Sequence, residues 1–197
     1  MKIIGLTGSI GMGKSTIAAM LIDAGVPVFD ADAAVHQLQG PGGALLPQIE
    51  ARFPGTTGAG GVDRPKLGTA VFGNPEALAA LEAIVHPAVG AMQKRFLRRH
   101  RARAFVVVDI PLLFEKRGWK KVDLIVVASA SAWQQRKRVL ARPGMTLAKF
   151  ARIKRLQVPD AVKRARADVV INTGRQLVET KAQVQRLVTC LSAKRGR

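Results

Sequence analysis

With 197 residues, 48% of them apolar, the chain can bury a sizeable core in one α/β domain carrying an insertion. A single cysteine, Cys190, excludes a disulfide framework or cysteine-rich metal site, and no run reaches the roughly 18 apolar residues of a membrane span, so a soluble, cytoplasmic protein is expected. The net charge of +19 is uneven, −2 in residues 1–89 and +21 in residues 90–197, with 27 Lys/Arg against six Asp/Glu in the latter, but 5% aromatic residues without tyrosine offer few stacking platforms: polyanions can bind, yet no obligatory nucleic-acid or membrane partner is expected.

The apolar run Lys2-Ile3-Ile4-Gly5-Leu6 reads as a strand and not as a signal peptide, because no long h-region or cleavage site accompanies it. Directly after it stands Gly8-Ser9-Ile10-Gly11-Met12-Gly13-Lys14-Ser15, which fits the G-x-x-x-x-G-K-[ST] phosphate-binding loop. Its glycines let the backbone wrap an anion with successive N–H groups turned inward, and the helix expected near Gly13 adds its positive dipole end. Lys14 is suited to reach the β- and γ-phosphates and Ser15 to hold Mg²⁺, so a nucleoside triphosphate is the first ligand implied. The helix, Lys14 to Ala24, sets Ile17, Leu21 and Ile22 on one face and stops at Gly25 and Pro27.

Val26 to Phe29 reads as the second strand, ending in Asp30-Ala31-Asp32 at the edge where open parallel sheets put their ligands. One carboxylate is expected to be functional and the other to cap the helix through Val35 and Leu38; the alternative is that both cap it. His36 reads as a surface or half-buried helix residue. Beyond the break at Gly40-Pro41-Gly42-Gly43, residues 40–103 read as helices without a strand, an insertion suited to binding substrate. They comprise Ala44 to Arg52, a helix start at Asp63-Arg64-Pro65 with Leu67, Val71 and Phe72 on its apolar face, and a pattern from Glu76 to about Arg103. In that last stretch Pro87 must start a new helix or kink the old one. The glycine-rich loop from Pro54 to Gly61 suggests no chemistry.

Phe105 to Asp109 is a buried-strand signal ending in an acid, the Walker B pattern that sets a carboxylate beside Mg²⁺; otherwise Asp109 is a cap or turn residue. Ile110 to Glu115 continues beside the site, with Glu115 able to hold a substrate group or to pair with a lysine. The basic segment from Lys116 to Lys121 reads as solvated. Val122 to Ala128 is the fourth strand, and Ser131 with Gln134 forms a capping box. Two basic helices follow, one carrying Arg136 to Arg142 and one from Leu147 to Gln157, joined by Pro143-Gly144. They read as a lid that brings guanidiniums to a transferred phosphoryl group, or as an ordinary basic surface. Val169 to Asn172 is the fifth strand. The last helix, about Arg175 to Leu191, lays Leu177, Val184, Leu187, Val188 and Leu191 on the sheet, with Cys190 packed and Ser192 to Arg197 a frayed tail.

Together these segments resemble the dephospho-CoA kinase family over nearly the whole chain. The resemblance is carried by Gly5 to Ser15, Asp30-Ala31-Asp32, His86-Pro87, Arg138 with Arg142, Ile153 to Gln157 and Ala167-Asp168. The most selective part is Asp109-Ile110-Pro111-Leu112-Leu113-Phe114-Glu115. It implies an α/β P-loop nucleotide-kinase fold with a five-stranded parallel sheet flanked by helices (core about 1–39, 104–130 and 167–197). A helical CoA-side insertion (about 40–103) and a basic helical lid (about 131–166) complete it. The implied substrates are ATP and dephospho-CoA, with Mg²⁺, and the implied reaction is phosphorylation of the ribose 3′-hydroxyl.

Carried onto this sequence, the resemblance makes Gly11, Met12, Gly13, Lys14, Ser15 and Thr16 the ATP phosphate site, with Ser15 and Asp109 positioning Mg²⁺. Asp32 orients or deprotonates the 3′-hydroxyl, Arg138 and Arg142 supply lid charge, and His86, Leu113, Phe114 and Glu115 fall on the acceptor side. Asn172-Thr173-Gly174 is one residue shorter than the family's Asp-Asn-x-Gly, which puts adenine contacts there in doubt. The rival readings are a P-loop kinase of another nucleotide or metabolite, a nucleic-acid-stimulated ATPase and a nucleotide sensor.

Overall fold

The computed structural model describes residues 1–115 and 118–193. Lys116 and Arg117 of the basic segment, and residues 194–197 of the basic tail, lie outside the described residues. In chain order the elements are β1 (Lys2–Thr7), α1 (Lys14–Asp23), β2 (Val28–Asp30), α2 (Ala31–Gln39), α3 (Leu46–Arg52), β3 (Thr57–Gly58), β4 (Gly61–Val62), α4 (Arg64–Val71) and α5 (Pro75–Arg99). There follow β5 (Phe105–Asp109), a 3₁₀ turn (Gly118–Lys121), β6 (Leu124–Ser129), α6 (Ala132–Leu140), α7 (Leu147–Arg155), α8 (Asp160–Ala165), β7 (Val169–Asn172) and α9 (Leu177–Ala193). The chain divides into two compact units, Met1–Phe29 with the chain from His100 onward, and Asp30–Arg99.

In the first unit the strands form one parallel sheet in the order β2-β5-β1-β6-β7. Strands covered on both faces need no polar alternation, and β5 accordingly buries all five of its residues. Ile17 and Leu21 of α1 and Val184, Leu187 and Leu191 of α9 join Ile4, Leu6, Val107 and Val126 in a single apolar cluster. Three expected core positions are solvent-facing instead. Ile22 follows Leu21 directly and so lies about 100° around the helix from it, out of the buried stripe. Cys190 is exposed for the same reason, one position before Leu191. Leu177 shares the apolar face by spacing but opens α9, in a first turn where Val178 is exposed as well.

The second unit closes its own core around Leu38, Leu45, Ile49, Phe53, Leu67, Ala77 and Val85. α2 belongs here, with Val35 packed against that cluster. Contrary to the all-helical expectation for residues 40–103, β3 and β4 pair antiparallel, a hairpin whose return strand begins at Gly61 with φ 96°, a conformation glycine adopts without strain. Glu50 of α3 organises the glycine-rich loop leading into it. Its carboxylate accepts from the Thr57 hydroxyl at 2.7 Å, the Gly55 amide at 2.6 Å and the Thr57 amide at 3.0 Å. Those bonds, the Thr57 hydroxyl first, hold Glu50 below the usual carboxylate range. α5 runs unbroken through Pro87, so the proline neither starts nor ends a helix there. Phe72 lies beyond the end of α4 and is exposed instead of completing that helix's apolar face.

Candidate active site

The phosphate loop joins β1 to α1 within the first unit. Gly11 and Gly13 have φ of 76° and 84°, and a Cβ on either would meet a side chain: Val139 at 2.5 Å from the first, Thr173 at 2.8 Å from the second. Only glycine satisfies both the dihedral and the approach at these positions. The N–H groups of Gly11, Gly13, Lys14 and Ser15 find no acceptor among the described residues, while Met12 donates to Ser9 and Thr16 to Gly13. Four unspent donors in consecutive turns at a helix start are what a polyphosphate requires.

The loop's carbonyls are engaged from outside. Ile10 O accepts from Gln135 Nε2 at 2.8 Å, Gly11 O from Arg138 Nη1 at 3.5 Å and Met12 O from the Thr173 hydroxyl at 2.8 Å. Arg138 donates further to Thr173, at 3.0 Å to its hydroxyl and 2.6 Å to its carbonyl. The shortened turn after β7 therefore serves the loop through Thr173 and closes locally, with Asn172 Oδ1 accepting from the Gly174 amide at 2.8 Å. Arg142, by contrast, is exposed, and its guanidinium has no partner among the described residues. Of these two arginines, Arg138 is bonded to the loop and to Thr173, and Arg142 makes no such bond among the described residues.

Register places the expected Walker B acid beside the loop: β1 pairs with β5 so that Leu6 faces Asp109. The Asp109 carboxylate, buried, lies 2.6 Å from the Lys14 ammonium. The Ser15 side chain is exposed and its hydroxyl is uncommitted among the described residues. No cluster of three or more His, Cys, Asp or Glu among the described residues is built to hold a metal by itself. That donor set fits Mg²⁺ carried on phosphate oxygens and water, with a hydroxyl and one carboxylate from the protein.

Beyond Asp109 the chain is held to β1 by Ile110 N–H on Leu6 O at 3.0 Å and the Thr7 hydroxyl on Pro111 O at 3.2 Å. Leu113 and Phe114 then turn into the interior, at 0% and 6% exposure, and pack as core side chains. Glu115 pairs with a lysine through one of its carboxylate oxygens. Its Oε1 accepts from the Val158 amide at 2.8 Å and lies 2.9 Å from the ammonium of Lys163, which is fully buried. Burial pushes the Glu115 carboxyl up, but the Lys163 ammonium and the Val158 amide outweigh it and hold the group below its usual range.

In the second unit the two candidate carboxylates separate. Asp30 Oδ1 accepts from the Ala33 amide at 2.9 Å and is the N-cap of α2. The Asp32 carboxylate, in the first turn, makes no hydrogen bond or ion pair among the described residues and lines a cavity of about 360 Å³ with His36, Gln39 and Arg64, walled by Val35, Leu67, Val71 and Leu81. The Arg64 guanidinium donates to His36 Nδ1 at 2.8 Å. His86, on α5, is exposed and outside this cavity.

Several of these residues carried no sequence signal of their own. Arg64 was legible only as part of a helix start and His36 only as a helix residue, because what unites them with Asp32 is the packing of α4 on the α2–α5 pair. Gln135 and Lys163 match no motif, while Gln157 was marked only as the end of the Ile153 to Gln157 stretch and Thr173 only as part of the turn after the fifth strand; their roles arise from side chains meeting the loop or Glu115 across long stretches of chain.

The dephospho-CoA kinase family model matches residues 2–179. A dephospho-CoA kinase of Novosphingobium aromaticivorans is 63% identical over 195 residues, 99% of this chain and 97% of that protein. A Thermus thermophilus crystal structure superposes with a TM-score of 0.85 at 34% identity, covering 96% of each chain. A dephospho-CoA kinase from Campylobacter jejuni shares the fold at TM-score 0.66 and 23% identity, covering 98% of each chain. The chain belongs to the dephospho-CoA kinase family.

Proposed function

We propose that the protein transfers the γ-phosphoryl group of ATP to the ribose 3′-hydroxyl of dephospho-CoA, forming coenzyme A. The observation that carries this reading is the division of labour between Asp30 and Asp32: one is spent as a helix cap, the other has no partner among the described residues and lines a cavity that can take an acceptor. The amides of Gly11, Gly13, Lys14 and Ser15 bind the phosphates, and Lys14 shares its ammonium between Asp109 and the phosphate oxygens. Ser15 and Asp109 are the residues that would hold Mg²⁺, which would supply charge neutralisation to the triphosphate. Asp32 accepts the hydrogen bond of the attacking 3′-hydroxyl; in a loose transition state this orients the nucleophile more than it removes the proton. Arg142 supplies the mobile charge of the lid formed by α6 and α7, and Arg138 keeps that lid attached to the loop.

The unit Asp30–Arg99 serves as the acceptor lobe, where Arg64 meets the acceptor's diphosphate. His86, Leu113 and Phe114 keep their acceptor-side assignment on resemblance, the latter two through the packing that shapes the segment. A cytoplasmic location suits the sole cysteine, and among the described residues no helix is long and apolar enough to cross a membrane. The test is ATP consumption with dephospho-CoA, nucleoside monophosphates and small alcohols offered side by side. Rapid turnover is expected with dephospho-CoA alone and no acceleration by RNA or DNA. Protein that binds Mg·ATP and leaves dephospho-CoA untouched contradicts the proposal.

A further inference from the structure

Ile10, at the tip of the phosphate loop, has both of its backbone polar groups taken by side chains from elsewhere in the first unit. Its N–H donates to Gln157 Oε1 at 3.0 Å and its carbonyl accepts from Gln135 Nε2 at 2.8 Å. Gln135 is 3% exposed, so its amide has no ready solvent alternative. Its helix, α6, is fixed at the start by the Ser131–Gln134 capping box and packs Val139 where a Cβ on Gly11 would fall. Gln157 follows the end of α7, and the next amide, Val158 N–H, is bound to Glu115. The two glutamines thus reach one residue from opposite ends of the α6–α7 segment.

Ile10 precedes the glycines, whose freedom lets the backbone wrap an anion and also lets it relax away from that shape. A cradle whose donors are already aimed binds more tightly than one that must be ordered by its ligand. We propose that Gln135 and Gln157 are positioning residues for phosphoryl transfer: by fixing Ile10 as a donor on one side and an acceptor on the other, they aim the free amides of Gly11, Gly13, Lys14 and Ser15 at the ATP phosphates. The roles are of opposite polarity. Position 157 must offer an acceptor oxygen, and position 135 must offer a donor. This goes beyond the acceptor assignment and depends only on the loop binding ATP.

The polarity provides the test. Wild type, Gln157→Glu, Gln157→Leu, Gln135→Glu and Gln135→Met are compared by calorimetric titration with Mg·ATP and by kcat and KM for each substrate. Glu at 157 keeps an acceptor, so Gln157→Glu is expected within about threefold of wild type. Gln157→Leu and Gln135→Glu are each expected to weaken ATP binding roughly tenfold to a hundredfold, the scale of one buried hydrogen-bond partner lost, while the KM for dephospho-CoA stays put. Gln135→Met matches the side chain's size without charge, covers the case in which a buried carboxylate prevents folding, and is expected to show the same loss. The proposal is overturned if Gln157→Glu is as impaired as Gln157→Leu. It is equally overturned if Gln157→Leu and Gln135→Met bind ATP as wild type does, or if both substrates weaken in parallel. Should wild type bind ATP but not phosphorylate dephospho-CoA, the acceptor assignment fails while the titrations still decide this inference.

Discussion

The Lys14 ammonium lies 2.6 Å from the carboxylate of Asp109, so the loop's only cation and the sheet's buried acid neutralise each other within the first unit. In the proposed mechanism each group has two duties: Lys14 compensates a buried charge and would meet phosphate, and Asp109 holds the lysine and would help to hold Mg²⁺. Lys14→Ala is expected to reduce kcat/KM for ATP by about 10³-fold or more, because it removes the ammonium that meets the phosphates and lies beside the Asp109 carboxylate. Asp109→Asn is expected to be milder in stability and severe in Mg²⁺ dependence. Steady-state kinetics across Mg²⁺ concentration checks both, and near-normal turnover by Lys14→Ala would remove the loop from the mechanism.

Asp30 and Asp32 are two residues apart and are expected to respond oppositely. Asp32→Asn should lower kcat by roughly 10² to 10⁴ with ATP binding largely spared. Asp30→Ala should leave kcat nearly unchanged and cost about 1 kcal/mol of stability through the lost cap. Kinetics paired with urea unfolding separates the cases, and a catalytic loss at Asp30 equal to that at Asp32 contradicts the division.

Arg138 and Arg142 also part company. Arg142→Ala should slow transfer by about 10²-fold or more with little effect on either KM, since its guanidinium acts on charge that develops in the transition state. Arg138→Ala should raise the KM for ATP and lower the melting temperature, since it releases both Thr173 and the Gly11 carbonyl. Exposed Arg155 is the control. Equal losses at Arg142 and Arg155 would argue against a special role for the lid.

Glu115 and Lys163 form a buried ion pair whose rupture is costly. Glu115→Ala leaves an ammonium in the interior and should destabilise by about 3 kcal/mol or more, whereas Glu115→Gln with Lys163→Met should recover much of that. Because the Glu115 pKa is lowered in the folded protein from its ordinary 4.5, its contribution is fully present above about pH 4.5 and is lost as pH falls through the lower folded value. The stability difference between wild type and Glu115→Gln should therefore shrink on acidification in that range, measured by urea midpoints at pH 7 and below pH 4.5. A difference independent of pH would show that the pair contributes nothing.

The local pattern told more about the first unit than about the second. The strands around Ile4, Val107 and Val126 were legible because residues buried on both faces leave a continuous apolar run. The hairpin at Thr57 to Val62 was not, since two-residue strands rich in glycine carry no periodicity and depend on Glu50, a carboxylate from another element. Ile22, Leu177 and Cys190 were misplaced because a helix's burial is a matter of angle and of what covers each turn, which spacing alone bounds only loosely.

By itself the sequence determined the loop, its strand and helix, the acid at the end of β5 and the family, because each of these depends on residues close together in the chain, whose geometry is set by local backbone preference. Only the tertiary structure decided that Asp30 caps α2 while the Asp32 carboxylate has no partner among the described residues, that Glu115 is matched to Lys163, and that Arg64 and His36 share Asp32's cavity. It also decided that Ile10 is gripped by Gln135 and Gln157. Those facts are pairings between distant segments, and a side chain's partner is chosen by which surfaces pack together, a choice that no short stretch of sequence contains.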